Sequence, residues 1–217
     1  MNLLECLVGL ALCLMLLNPL LKTSADLVVK QIQYEKTQAL IADGDRALEL
    51  IGRAIRMAGY RNVSRSVSAS TTSSKKVDAK QFILIEKKSG YRGSDLLRTH
   101  HELSSQSDLD CIGNTITADR TKHHLAYQGF LVERQAGVPK GAKVNGGSLM
   151  CQSLDRQGRL QNTTLMNGVN VLTIDEIAPS QALKGGEQKF YRIRLQMTDG
   201  RSLNVDLERT FTTRNLL

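Results

Sequence analysis

MNLLECLVGLALCLMLLNPLL, residues 1–21, contains one charged side chain, that of Glu5. A helix needs about 20 mostly apolar residues to span a bilayer, and this stretch just reaches that length. We therefore predict that residues 1–21 form a membrane-inserted helix. A cleaved secretory signal is the alternative. Its basic n-region is missing, however, and no small-x-small cleavage site directly follows the apolar run.

The helical pattern continues beyond residue 22 as an amphipathic stripe that ends before Gly59, a helix-stopping residue. Asn18-Pro19 predicts a kink or a loosened turn within it. Small and apolar side chains recur every three or four residues, which places them on one face of a helix. We therefore predict one long helix over residues 1–58, with its second half packed on a small domain. The residues of the stripe are Leu40, Gly44, Ala47, Leu48, Ile51, Ala54, Ile55 and Ala58.

The rest of the sequence has the composition of a loop followed by β-structure. Residues 61–80 are rich in Ser with several Lys and Arg, which is typical of a connecting loop. Short apolar runs divided by Gly, Asn, Asp and Ser then predict strands, and we expect an antiparallel sheet under the helix, an α+β fold. The predicted strands lie at residues 82–85, 96–97, 115–117, 125–132, 148–151 and 169–174.

The sequence therefore predicts four segments. Residues 1–29 are expected to form a transmembrane and assembly helix, and residues 30–60 the amphipathic helix half that packs on the sheet. Residues 61–80 are expected to form the Ser-rich connecting loop, and residues 81–217 a β-rich globular domain.

The clearest strand pair lies near the end of the sequence, where apolar and polar side chains alternate in residues 191–198 and again in 203–208. A three-residue loop at 198–200 would place Leu195 opposite Leu203 and keep apolar residues on one face. It would also leave a glycine at the left-handed position that such loops need. Two further pairs follow from this register: Ile193 with Val205 and Arg192 with Asp206.

The four cysteines fall into two classes. Cys6 and Cys13 lie in the apolar segment, about 10 Å apart along a helix, and cannot bridge within one chain. Cys111 and Cys151 lie in polar sequence and are the natural disulfide pair if that part of the chain leaves the cytoplasm. Two unpaired buried thiols are the alternative.

The charge pattern and the known motifs give no sign of catalysis. A net charge of +8 favours anionic partners such as nucleic acid, but the basic residues are spread as on a solvated surface. No G-x-S-x-G, H-E-x-x-H, P-loop or C-x-x-C motif is present, so we predict no catalytic residues, metal site or cofactor. Neither His100-His101 nor His123-His124 can chelate one metal unless the chain turns there, because adjacent strand residues face opposite sides. A four-histidine zinc site across strands is the alternative.

Several segments resemble one protein family. Residues 1–5 and the apolar helix after them resemble the N-terminus of processed type IV pilins, in which Glu stands at the fifth position. Residues 45–60, DRALELIGRAIRMAGY, are similar to the helix end of PilW-like minor pilins. Other segments resemble a strand motif, two cysteine-bearing segments and a pre-strand segment of that family. They are residues 93–97 (GSDLL), 110–113 (DCIG), 149–151 (LMC) and 167–169 (NGV).

The resemblance implies a subunit that is cleaved and N-methylated at Met1 by a prepilin peptidase. It would be a single-pass inner-membrane protein with its domain in the periplasm, and would later be part of a pilus at the cell surface. A carboxylate in a membrane helix is a functional candidate by default. Glu5 would pair with the amine of a neighbouring subunit's Met1 and set the stagger between chains. Snorkelling of Glu5 to the membrane interface is the alternative.

The function implied is that of a structural minor pilin, not an enzyme, in a tip or priming complex of a pilus used for adhesion or motility. Its partners would be major and minor pilins, the pilus assembly platform and the membrane. Two alternatives are a minor pseudopilin of a type II secretion system and a DNA-capturing pilin in natural transformation.

Overall fold

The computed structural model describes residues 3–62, 82–104, 108–122, 124–139, 141, 146–177 and 188–215. Most of the predicted loop at 61–80 lies outside these residues. The chain divides into two compact units, Met1–Ala39 and Leu40–Leu217.

The described secondary structure is one long helix followed by nine strands. The helix, α1, spans Leu3–Met57 and continues through Pro19, where we expected a kink or a loosened turn. Single 3₁₀ turns lie at Tyr91–Gly93 and Ala118–Arg120. The strands are β1 (Ile83–Glu86), β2 (Leu96–Glu102), β3 (Asp108–Leu109), β4 (Thr115–Ile116), β5 (Leu125–Glu133), β6 (Gly147–Leu154), β7 (Leu160–Ile177), β8 (Phe190–Thr198) and β9 (Asn204–Thr212).

Seven strands form one antiparallel sheet in the order β1-β2-β5-β6-β7-β8-β9, and β3 pairs with β4 in a separate two-stranded ribbon. The apolar stripe of α1 contributes to one core with the inner face of the large sheet. The predicted α+β class, a long helix on an antiparallel sheet, is confirmed.

The predicted stripe of α1 is buried in this core from Gly44 to Ala58. Two glycines of α1, one in the predicted stripe and one beside it, bring helix and sheet close together. A Cβ at Gly44 would collide with the side chain of Leu207, and a Cβ at Gly52 would collide with ring carbons of Phe211. Gly59 follows the helix at φ +75°, a left-handed conformation that favours glycine and ends a helix.

The pairing of β8 with β9 corrects the predicted hairpin. Leu195 lies opposite Leu207, not Leu203, so the loop has five residues, 199–203. Apolar residues still share one face, because loops of three and five residues have the same parity. The longer loop is stabilised by the carboxylate of Asp199, which accepts hydrogen bonds from the backbone N–H groups of residues 201–203.

The other predicted pairs of this hairpin are also wrong. Ile193 pairs with Arg209, and Val205 pairs with Met197. Arg192 pairs with Thr210 and Asp206 with Gln196. The left-handed glycine predicted for the loop is present, because Gly200 has φ +77°.

β7 is long enough to change partners along its length. It pairs with β6 up to Val169 and with β8 from there onward, which leaves one edge without a strand partner. Ser94 and Asp95 occupy that edge. The Ser94 hydroxyl accepts from Leu172 N–H, the Asp95 carboxylate accepts from Ile174 N–H, and Asp95 N–H donates to Leu172 C=O. The segment before β2 therefore completes the sheet.

Candidate functional site: the N-terminal helix and the cysteine-bridged lobe

The first unit of the chain, Met1–Ala39, is helical from Leu3 and exposes many large apolar side chains. α1 is the one helix in the described part of the chain that is long and apolar enough to cross a membrane. Cys6 and Cys13 are free thiols on its surface. The described large apolar side chains of the first unit are about half to three-quarters exposed. They are Leu7, Val8, Leu10, Leu12, Leu14, Met15, Leu17, Leu20, Leu21, Leu27, Val28, Val29, Ile32 and Tyr34.

Exposed apolar surface on this scale marks a membrane or protein interaction site. Of the predicted pair at its start, Met1 lies outside the described residues, and Glu5 is described only as part of the α1 backbone. The Glu5–Met1 pairing therefore stays a prediction.

The structure joins Cys111 and Cys151 in the predicted disulfide, with their Cα atoms 6.0 Å apart. Cys151 lies in the middle of β6, and Cys111 lies in the turn between β3 and β4. The bond therefore ties the small ribbon to the large sheet. We call residues 108–122, which contain this ribbon and its turn, the cysteine lobe.

A buried ion pair between Asp110 and Arg120 stabilises the interior of the cysteine lobe. Arg120 Nη2 lies 2.8 Å from Asp110 Oδ2, and the side chains are 12% and 0% exposed. The other Asp110 oxygen accepts from the backbone N–H groups of Ile112 and Asn114. Arg120 also donates to the carbonyl oxygens of Thr115 and Leu154. These bonds compensate for the removal of both charges from water.

A lysine reinforces the completed edge of β7. Lys87 Nζ contacts Asp95 Oδ2 at 3.0 Å, Asp175 Oδ1 at 2.9 Å and the Ile174 carbonyl. Desolvation opposes the charge on Lys87, but the two carboxylates outweigh it and raise the pKa of the ammonium group. The hydrogen bond from Lys87 lowers the pKa of Asp175. We call Lys87, Asp95 and Asp175 the Asp95 clamp. Its charged groups bind one another and the backbone of β7, so its role is structural.

His100 and His101 are adjacent in β2, so their side chains face opposite sides of the strand. His101 is buried, at 2% exposure, and His100 contacts Tyr127 edge-to-face with the ring centroids 5.2 Å apart. His123 lies outside the described residues. Within the part of the chain that the structure describes, no three His, Cys, Asp or Glu side chains are grouped to hold a metal ion.

Sequence reasoning missed the Asp110–Arg120 pair and the Asp95 clamp. Both aspartates stand in short Gly-containing segments, which is a signal for local side-chain-to-backbone hydrogen bonds. Their cationic partners are 10 and 8 residues away in sequence, and no local pattern selects them.

The chain was compared with family models, with curated proteins and with solved structures, and none of the three comparisons gave a match.

Proposed function

We propose that this chain is a structural minor subunit of the type IV pilin class, similar to PilW-like pilins, that takes part in starting or extending a pilus. One observation carries the proposal. The stripe of α1 from Gly44 to Ala58 is buried on its own sheet, whereas the apolar residues from Leu7 to Tyr34 are exposed. A helix with these two kinds of surface is suited to hold its own domain and to be inserted into lipid or among other helices.

The segments that resemble the family lie at junctions of the fold, which supports the proposal. Residues 45–60 form the buried end of α1 and its stop. Residues 93–97 complete the edge of β7. Residues 110–113 and 149–151 hold the bridged cysteines, and residues 167–169 lie where the pairing of β6 with β7 is irregular.

Before assembly, the proposed subunit lies in the inner membrane with its domain in the periplasm, an oxidising compartment in which the disulfide is stable. Moving an apolar helix from lipid into a helical bundle gives little net hydrophobic gain. A specific interaction must therefore favour the correct position. Pairing of Glu5 with the amine of a neighbouring subunit's Met1 supplies it, since one helix holds these two groups apart within a chain. In this role the chain is a structural protein, and its partners are other pilins and the assembly platform.

The test follows the full chain in piliated cells. We expect it in the membrane fraction, resistant to alkaline extraction, and in small amounts in sheared pili. A version without residues 1–29 should be soluble and absent from pili. Absence of the full chain from pili, with loss of secretion in its deletion strain, would instead assign it to a type II secretion system. Correct pili and normal secretion without the chain would refute both roles.

A further inference from the structure

A groove of about 250 Å³ lies beside the disulfide, on the flank of α1. α1 supplies Arg46, Leu50 and Arg53 to one wall. The opposite wall is the turn of the cysteine lobe, residues 109–113, and residues 164–166 of β7 complete the groove. All of these residues belong to the Leu40–Leu217 unit.

The groove carries two positive charges that its own residues do not neutralise. Arg46 and Arg53 are exposed, and neither guanidinium group makes an ion pair or hydrogen bond with any residue that the structure describes. Arg56, on the same helix, is by contrast paired with Glu49. Among the described residues that line the groove, Asp110 has the one carboxylate, and this side chain is fully buried and bonded to Arg120.

Between the two arginines the surface is apolar. Ile112 is 40% exposed at the tip of the cysteine lobe, and Leu50, Leu165 and Met166 are half-buried around it. Exposure of these side chains to water is unfavourable, so covering them makes the free energy of ligand binding more favourable. None of the described residues that line the groove is aromatic, so they offer no surface on which a nucleic-acid base could stack.

We propose that this groove docks an acidic amphipathic segment of a partner protein, with two carboxylates about 10 Å apart and apolar side chains between them. The spacing follows from Arg46 and Arg53, which are seven residues or two helical turns apart. Guanidinium groups bind carboxylates in a bidentate fork, and the apolar floor covers the intervening side chains. A second copy of this chain is a poorer occupant, because its net charge of +8 opposes docking on a basic surface. The proposal concerns the folded unit and does not depend on the pilin function.

The test uses the full chain in detergent and a fluorescent helical peptide with Glu at positions i and i+7 and Leu at i+3 and i+4. Two further peptides replace Glu by Gln or Leu by Ser. The variant is Arg46→Gln with Arg53→Gln, which keeps polarity and approximate size. The matched control is Arg201→Gln with Arg214→Gln, which removes the same charge from two exposed arginines elsewhere.

We expect the Glu–Leu peptide to bind wild type and control equally and the variant about tenfold more weakly, since two exposed ion pairs are lost. Both altered peptides should also bind more weakly to wild type. Equal weakening in variant and control would show non-specific charge attraction and overturn the proposal, as would no binding at all. Self-association of wild type that the variant abolishes would identify a second copy as the occupant. Displacement of the peptide by a single-stranded oligonucleotide would identify nucleic acid as the occupant. Self-association of this kind and displacement by the oligonucleotide would each overturn the proposal.

Discussion

Arg120 donates to the buried carboxylate of Asp110 at 2.8 Å, and this pair lies in the same lobe as the disulfide. Removing the guanidinium would leave a buried charge without its ion partner. We expect Arg120→Met to destabilise residues 30–217 by about 3–5 kcal/mol in urea unfolding. Arg156→Met, at an exposed arginine, should change stability by less than about 0.5 kcal/mol. Equal effects of the two substitutions would contradict a structural role for the pair.

The disulfide should contribute a large share of the domain's stability. Cys111 and Cys151 are 40 residues apart, and closing a loop of that length stabilises a fold by roughly 4 kcal/mol in the chain-entropy model. Unreduced protein should show one disulfide by mass spectrometry. The double variant Cys111→Ser with Cys151→Ser should unfold at a lower urea concentration. Two free thiols in protein isolated from cells would remove the pairing and argue against the proposed periplasmic location.

The contact of Gly52 with Phe211 should reverse the usual effect of replacing a helical glycine. Alanine normally favours a helix by about 1 kcal/mol over glycine. Here the added Cβ collides with ring carbons of Phe211, and overpacking costs about 1–3 kcal/mol. We expect Gly52→Ala to destabilise residues 30–217. In a Phe211→Ala background the same change should be neutral or stabilising, and a loss of the same size in both backgrounds would argue against this contact.

His101 should make stability depend on pH. Desolvation lowers its pKa below the ordinary value of 6.5; His100 and Arg53 add to this effect, and Asp108 opposes it. The unfolded chain therefore takes up a proton more readily than the folded chain. The free energy of unfolding falls by up to about 1.4 kcal/mol per pH unit as the pH drops below about 6.5. The decrease ends when the pH reaches the pKa of His101 in the folded chain.

Urea unfolding of residues 30–217 at a series of pH values between 7.5 and 5 tests this dependence. His101→Leu should remove the slope in that range, whatever its effect on stability at neutral pH. His124→Asn, at an exposed histidine, should keep it. A slope unchanged by His101→Leu would assign the pH dependence to other groups.

Glu5 gives the prediction that bears most directly on the proposed role in pilus assembly. Glu5→Ala should leave membrane insertion and the outer domain intact, and should lower the amount of the chain in sheared pili. Glu5→Asp should be intermediate, because the charge remains but its reach shortens. Membrane and pilus fractions of the three versions, compared by quantitative blotting, provide the measurement. Recovery of Glu5→Ala in pili at the wild-type ratio would show that Glu5 only snorkels to the interface.

The sequence alone determined the features that depend on local periodicity. The stripe on α1 and its end at Gly59 follow from a 3.6-residue repeat and a helix stop, which are properties of neighbouring residues. The alternation in β8 and β9 likewise determined which side chains face the core. The cysteine pair was predictable because only two of the four cysteines lie in polar sequence.

Only the tertiary structure decided what depends on contacts between distant residues. Periodicity could not choose between hairpin loops of three and five residues, since both keep Leu195 opposite an apolar side chain; the bonds to Asp199 decided it. Arg120 could have paired with any nearby carboxylate until the fold buried Asp110 against it. The groove between Arg46 and Ile112 likewise arises only when α1 and the cysteine lobe pack on one sheet. Chain topology sets these contacts, and the free energy of the whole fold, not local pattern, selects the topology.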